Sequence, residues 1–352
     1  MKGFINKYRR IFMRILTKSF GNNQKTFELE GDIKRILISR PNSRLGNLLL
    51  ITPLVQEVSI LFPNCKIDLF VRSKTSMSIF KNYECVNAYI ILPNRPFSHL
   101  ISYIHEWIKV ICTKYDMAIN AEIGSSSGRL SVKLSRSRYK IYDIADKELQ
   151  YSFGDYQHMA KHIIYNVRKV CRKRIQEEIP TLDIKLSNDE KQQGWKLLQQ
   201  LTDNQKPTIC IYTYATGAKC FNKTWWHDFY ERLKEICASD YFNIVEILPK
   251  ENISQINFAA PSFYSLNIRE IASFIAAADY FIGADCGIMH LAVASGTPTI
   301  GLFSVTDALR YAPYGNGNSF INTENKSVEE ICNLLNNDLK NRAHRLMFLL
   351  FH

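Results

Sequence analysis

No apolar stretch in this chain reaches the roughly 18 residues that a membrane-spanning helix requires. Near the N-terminus, Arg14 and Lys18 interrupt the apolar core that a secretory signal would need. The nine cysteines are odd in number and scattered, with no C-x-x-C pair. That excludes a zinc ribbon, argues against a disulfide scaffold and leads us to expect a reducing, cytoplasmic compartment. The eight histidines form no ligand cluster. His158 and His162 would share a helix face, but the glutamate of H-E-x-x-H is missing, so no metal site is expected. There is no G-x-G-x-x-G, no short-period repeat and no low-complexity tract. Acidic charge is the scarcer sign, with 33 Asp/Glu against 45 Lys/Arg.

What is present describes a globular protein. Apolar residues make up 46% and charged residues 22% of the 352, a length that suggests two domains. The net charge of +12 is unevenly spread. Residues 1–180 hold 30 Lys/Arg and 15 Asp/Glu, a net of +15, whereas residues 181–352 hold 15 and 18, a net of −3. The basic half therefore invites an anionic partner, whether nucleic acid, membrane surface or phosphorylated substrate. Nucleic acid is the poorest fit, because the basic run from Gly128 to Lys140 offers only Tyr139 as a stacking aromatic.

The first 27 residues carry seven Lys/Arg and no acid. Phe4, Ile5, Tyr8, Ile11, Phe12, Ile15 and Leu16 follow helical spacing, with the cations mostly on the other face. This is the pattern of a helix lying in an anionic membrane interface, or of one docked on the protein's own body. The C-terminal run from Leu346 to Phe351 behind Arg342 and Arg345 offers the same two readings.

Short apolar runs alternate with helical spacing along the rest of the chain. Strands are expected at 35–39, 66–71, 88–92 and 115–120, with a helix over 47–61 and a Gly/Ser loop at 124–128. A segment without periodicity, 175–188, reads as a linker. The pattern then restarts, with strands at 208–213, 243–248, 280–283 and 299–303 and helices at 224–238, 268–278 and 287–295. This is a parallel α/β architecture in two units of similar size, 28–180 and 181–335, flanked by a leader (1–27) and a tail (336–352). Such sheets bind ligands beyond their strand C-termini, here in the cleft expected between the units.

Three segments carry candidate chemistry. In Phe281 to Ala292 a strand ends in Asp285, turns at Gly287 and starts a helix at once. The helix N-terminus suits a diphosphate, Gly287 permits close approach, and His290 lies in position to donate to a phosphate oxygen. Asp285 would accept from sugar hydroxyls or simply cap the helix. In Tyr212 to Trp226 a strand end supplies the hydroxyls of Thr213 and Tyr214, and Lys219 and Lys223 could neutralise a pyrophosphate leaving group. The third segment, Arg40 to Asn47, joins the first strand to its helix through Gly46.

Together these segments resemble glycosyltransferase family 9, the ADP-heptose:lipopolysaccharide heptosyltransferases. The family's R-x-G-D turn and T-P-L helix appear as Arg44-Leu45-Gly46-Asn47 and Thr52-Pro53-Leu54. Its K-x-W appears as Lys223-Thr224-Trp225. Its D-[ST]-G-x-x-H-L-A appears as Asp285 to Ala292, followed by Gly296-Thr297-Pro298 and Tyr314-Gly315.

The resemblance implies a GT-B fold, two Rossmann-like domains with parallel sheets facing across a cleft, acceptor on the first and nucleotide-sugar on the second. It implies an inverting transfer of a heptose or related sugar from a nucleotide-sugar, ADP-heptose by analogy, with no metal or other cofactor. No D-x-D stands at a strand end. Thr213, Tyr214, Lys223, Asp285, Cys286, Gly287 and His290 would bind the donor. Arg44 and Arg129 would meet a phosphorylated, lipid-linked or core-oligosaccharide acceptor at the inner face of a bacterial cytoplasmic membrane.

Two positions depart from the family pattern. Cys286 replaces a small hydroxyl residue. Asn47 stands where the family has its proposed general base, and an amide lacks the basicity for that role. Glu122, just past the strand ending at Asn120, is the candidate replacement. A sugar-nucleotide epimerase would want acid/base pairs around the donor sugar, and only Asp285 is available. A catalytically impaired, membrane-associated glycan-binding or scaffold protein is the alternative that Asn47 supports.

Overall fold

The computed structural model describes residues 26–142, 144–203, 206–236 and 242–350, with isolated positions between 11 and 20; of residue 97 and residues 340–350 only the backbone is described. The amphipathic leader expected over residues 1–27 thus lies almost wholly outside the described residues, as do the side chains of the apolar tail. The chain divides into two compact units, Met1–Lys185 and Leu186–His352.

Among the described residues the first unit holds five parallel strands: β1 (Arg35–Ser39), β2 (Lys66–Val71), β3 (Val86–Ile91), β4 (Lys114–Asn120) and β5 (Arg136–Ile141), in the order β3-β2-β1-β4-β5. The central strands are buried almost end to end, as apolar runs covered on both faces must be. Helices α1 (Leu45–Leu49), α2 (Thr52–Leu61), α3 (Thr75–Ile79), α4 (Leu100–Cys112), α5 (Ser126–Leu134), α6 (Lys147–Ser152) and α7 (His162–Cys171) complete it.

The single helix expected over 47–61 is divided in two. Pro53 has no N–H to continue the α1 ladder, so it sits instead in the first turn of α2. The Gly/Ser loop at 124–128 is shorter than expected, because Ser125 caps α5 by accepting from the Gly128 N–H. A Cβ at Gly128 would lie 2.0 Å from Asn120 Oδ1, so the close approach of α5 to the end of β4 requires a glycine.

The expected linker is not free. It packs on the first unit, burying Ile179, Leu182 and Ile184. Gln56 donates to the Thr181 carbonyl, Tyr83 to that of Asp183 and Asn82 to that of Lys185. These staples carry the first unit on to Lys185 rather than ending it at 180. Beneath them, Arg168 on α7 and Glu57 on α2 form a bidentate ion pair at 2.8 Å with both side chains fully buried.

The second unit begins with α8 (Asn188–Gln199), whose Ser187 and Glu190 form a complete capping box. Among its described residues it holds six parallel strands: β6 (Thr208–Tyr212), β7 (Asn243–Ile247), β8 (Ser262–Phe263), β9 (Tyr280–Ala284), β10 (Thr299–Phe303) and β11 (Ser319–Asn322). Their order is β8-β7-β6-β9-β10-β11, the arrangement of a dinucleotide-binding Rossmann sheet. The connecting helices are α9 (Lys223–Ile236), α10 (Ile268–Ala276), α11 (Gly287–Ala294), α12 (Ala308–Tyr311) and α13 (Val328–Leu350). Trp226, Phe229 and Leu233 of α9 enter one core with Ile211, Ile282 and Ile300 of the sheet and Ile331 and Leu335 of α13. The residues expected to begin a separate tail at 336 instead continue α13, and Leu339 still belongs to this core.

Candidate active site

In each sheet the strand order reverses beside the first strand, between β1 and β4 and between β6 and β9, and such a switch point opens a crevice at the strand C-termini. In the second unit that crevice lies beyond β6 and β9, and the donor segments read from the sequence meet there. The Asp285 N–H is held by the Leu302 carbonyl of β10. Its buried carboxylate takes an ion pair from Lys219. Lys219 stands in a short turn (Gly217–Lys219) that Gly217 enters with φ +68°, and its ammonium lies 5.8 Å from the Tyr311 ring centroid.

Asp285 does not cap α11. Cys286 does so, with Sγ accepting from the Met289 N–H at 3.4 Å. Burial pushes that thiol up to about 12, so it serves as a neutral cap and not as a nucleophile. Gly287 then opens the helix, and His290 sits one turn in, buried. Desolvation pushes its imidazole down to about 4, with the Asp285 charge opposing the shift and Lys219 adding to it. The ring is therefore neutral at pH 7. A helix N-terminus, a cation and a neutral imidazole thus stand around one carboxylate, groups of the kind that a diphosphate carrying a polyhydroxyl group can engage.

The other donor candidates are distributed around this centre. Thr213 is buried; its hydroxyl donates to Glu246 Oε1 at 2.5 Å and accepts from the Gln255 N–H at 3.3 Å. Tyr214 is the partly exposed neighbour. Lys223 begins α9 and is exposed. The cation that meets Asp285 is Lys219, which the K-x-W pattern did not single out. Glu246 was also missed. Its signal is an acid inside the apolar run of β7, and desolvation there raises its carboxyl.

In the first unit the crevice lies beyond β1 and β4. Arg40 directly follows β1 and is fully buried. Its Nη1 donates to the Ala121 carbonyl at 2.6 Å, and its Nε lies 3.8 Å from Glu122 Oε2. Asn42 Nδ2 lies 3.5 Å from Glu122 Oε1. Glu122 is thus held, partly exposed, between two residues of the β1–α1 loop. Asn47 is in α1, half-buried, and Arg44 is the exposed residue before that helix. Arg129 lies in the first turn of α5, on the same β4–α5 connection as Glu122. The link from the first loop to Glu122 therefore runs through Arg40 and Asn42, which the R-x-G-D alignment passes over. A charged residue two positions after the apolar run Ile36-Leu37-Ile38 of β1 is the signal that would have found Arg40.

Comparison with known proteins decides the family. Residues 104–336 match the sequence profile described as glycosyltransferase family 9 (heptosyltransferase). The chain belongs to glycosyltransferase family 9. Among individual family members, it is 23% identical over 290 residues to lipopolysaccharide heptosyltransferase 3 of Escherichia coli, covering 77% of this chain and 84% of that one. It is 22% identical over 161 residues to the lipopolysaccharide core heptosyltransferase OpsX of Haemophilus influenzae. That match takes in 43% of this chain and less than half, 44%, of OpsX. The solved structure of E. coli heptosyltransferase WaaC with ADP superposes with a TM-score of 0.64 at 14% identity, over 87% of this chain and 99% of that one. The fold is therefore GT-B-like, with two parallel α/β sheets. Among the described residues no group of three or more His, Cys, Asp or Glu converges as a metal site, and no helix is long and apolar enough to cross a membrane.

Proposed function

We propose that this family 9 member is an inverting, metal-independent transferase that moves a heptose or related sugar from ADP-heptose to a phosphorylated lipopolysaccharide core or other lipid-linked glycan, at the cytoplasmic face of the membrane. The observation that carries the reading is the Asp285–His290 turn at the switch point of the second sheet, with Lys219 on Asp285. The helix N-terminus, His290 and the two lysines would take the diphosphate, and Asp285 the sugar. The solved structure of WaaC is one with ADP, which supports an adenine nucleotide as carrier.

Glu122 is the proposed general base in place of the amide at Asn47. The acceptor hydroxyl gives its proton to Glu122 as its oxygen bonds to the anomeric carbon. The bond from that carbon to the diphosphate oxygen breaks, and ADP leaves with the electron pair, its charge met by Lys219 and Lys223. Arg44 and Arg129 would receive acceptor phosphates.

The test measures ADP release from ADP-heptose with and without a core-oligosaccharide acceptor, beside thermal shifts by ADP, UDP and GDP. Acceptor-dependent release and a preferential shift by ADP are expected. Glu122→Gln should lower turnover by about 10²–10⁴-fold with donor binding unchanged. Near-normal turnover in this variant would remove Glu122 as the base. ADP binding without transfer in the unaltered chain would favour the second reading, a membrane-associated glycan-binding or scaffold protein, whose support is Asn47.

A further inference from the structure

Helix α4 (Leu100–Cys112) uses little of its apolar surface for folding. Its sequence, LISYIHEWIKVIC, has only Val110 buried, with Tyr103 and Trp107 partly buried against the core and Trp107 edge-on to Phe70 at 5.2 Å. These three lie on one narrow arc of the helix. The next arc, about 100° wide at 100° per residue, holds Leu100, Ile101, Ile104, Ile108 and Ile111. Their exposures are 53%, 86%, 49%, 49% and 42%. Isolated exposed aliphatics are ordinary, but five aligned on one helix over three turns are not. Leu134, at the end of the neighbouring α5, is 44% exposed.

The surroundings of this stripe are basic. The run 129–140, which forms α5 and β5 beside α4, has five Lys/Arg and no acid. Lys133 and Arg136 are exposed, and the Lys140 ammonium donates to the Lys133 carbonyl at 2.7 Å, so the lysines stand together. On α4 itself the one acid, Glu106, has 14% of its side chain exposed and is paired with Lys109 at 2.7 Å.

We propose that the α4 stripe, with the cations of α5 and β5, is the surface by which this protein docks on an anionic lipid bilayer. The chemistry favours lipid over protein. The stripe is aliphatic, without the tyrosine, tryptophan and arginine that anchor protein interfaces. Acyl chains need no complementary shape, and lysines beside the stripe can reach the phosphate level while their stems stay in the apolar layer. This deepens the proposed reading, in which the acceptor is lipid-linked, and it places the docking surface on the unit read as acceptor-binding, independent of the leader.

Flotation of the full chain with phosphatidylglycerol/phosphatidylethanolamine vesicles, against pure phosphatidylcholine vesicles, tests it. The variant is Ile101→Ser/Ile104→Ser/Ile108→Ser. All three side chains are about half exposed or more, so its melting temperature should match the unaltered chain. The unaltered protein should float with the anionic vesicles, less so as salt rises, and the triple variant should partition at least about tenfold more weakly. Equal flotation by the variant, or none by the unaltered chain, overturns the proposal. So does concentration-dependent self-association that the triple variant abolishes, because the stripe would then be a contact between copies. ADP release with a water-soluble acceptor, measured on the same variant, should be unchanged. Lost flotation with retained transfer separates this surface from the catalytic reading, and transfer failing in the unaltered chain would sink that reading alone.

Discussion

His290 links the stability of the second unit to pH. Unfolded, its imidazole would take a proton near 6.5; folded, it does so only near 4, because burial disfavours the charged ring. Between these values the unfolded chain holds the proton and the folded chain does not, so falling pH favours unfolding. The stabilisation is complete above about pH 6.5 and gone below about pH 4. The full difference corresponds to about 3 kcal/mol, of which about 2 kcal/mol is lost by about pH 5. That is a large part of the 5–15 kcal/mol by which domains are typically stable. Urea unfolding of the full chain at about pH 8 and about pH 5, beside His290→Gln, isolates the effect. The unaltered chain should lose about 2 kcal/mol more than the variant over that interval, since other titrating groups cancel in the comparison. NMR of the His290 ring should show it neutral down to about pH 5. Parallel losses in the two proteins, or a ring that protonates near 6.5, would refute the reasoning.

Two further substitutions test the packing that holds the sites. In Gly194→Ala the new Cβ would lie 1.9 Å from the Ser273 carbonyl oxygen, so α8 and α10 must separate. The usual helical gain of about 1 kcal/mol should reverse into a net loss of about 1–3 kcal/mol in urea unfolding, and a stabilised variant would contradict the contact. Glu57→Gln leaves the buried Arg168 guanidinium without a counter-charge, and the amide keeps one acceptor oxygen for it beside the Glu177 and Glu178 carbonyls. A loss of about 3–5 kcal/mol is expected, and a loss below about 1 kcal/mol would show that the pair is not the structural centre of the first unit.

Much of the fold was legible because parallel strands buried on both faces leave short, continuous apolar runs. The strand at 35–39 was read to the residue, and the Asp285–His290 turn was legible because a strand end, a glycine and a helix start are contiguous. The partner of Asp285 was harder. Lys219 and Lys223 are both near the end of β6, and chain spacing cannot say which one the turn at Gly217 carries to the carboxylate. The Arg40–Glu122 link joins residues far apart in sequence, and no local pattern announces it. Helix α4 has the periodicity of a core helix, and nothing along the chain marks most of that surface as exposed.

By itself, the sequence determined the α/β class, the two units and the residue types of the Asp285–His290 turn, since these follow from periodicity and from chemistry held within a few consecutive residues. Only the tertiary structure decided the strand order, and with it the crevice at each switch point. It also decided that Cys286 and not Asp285 caps α11, that the Thr213 hydroxyl is committed to Glu246, that the linker is stapled to the first unit, and that the isoleucines of α4 meet solvent. Each of these depends on which distant segments are brought together, and burial and hydrogen-bond partners are properties of that assembly.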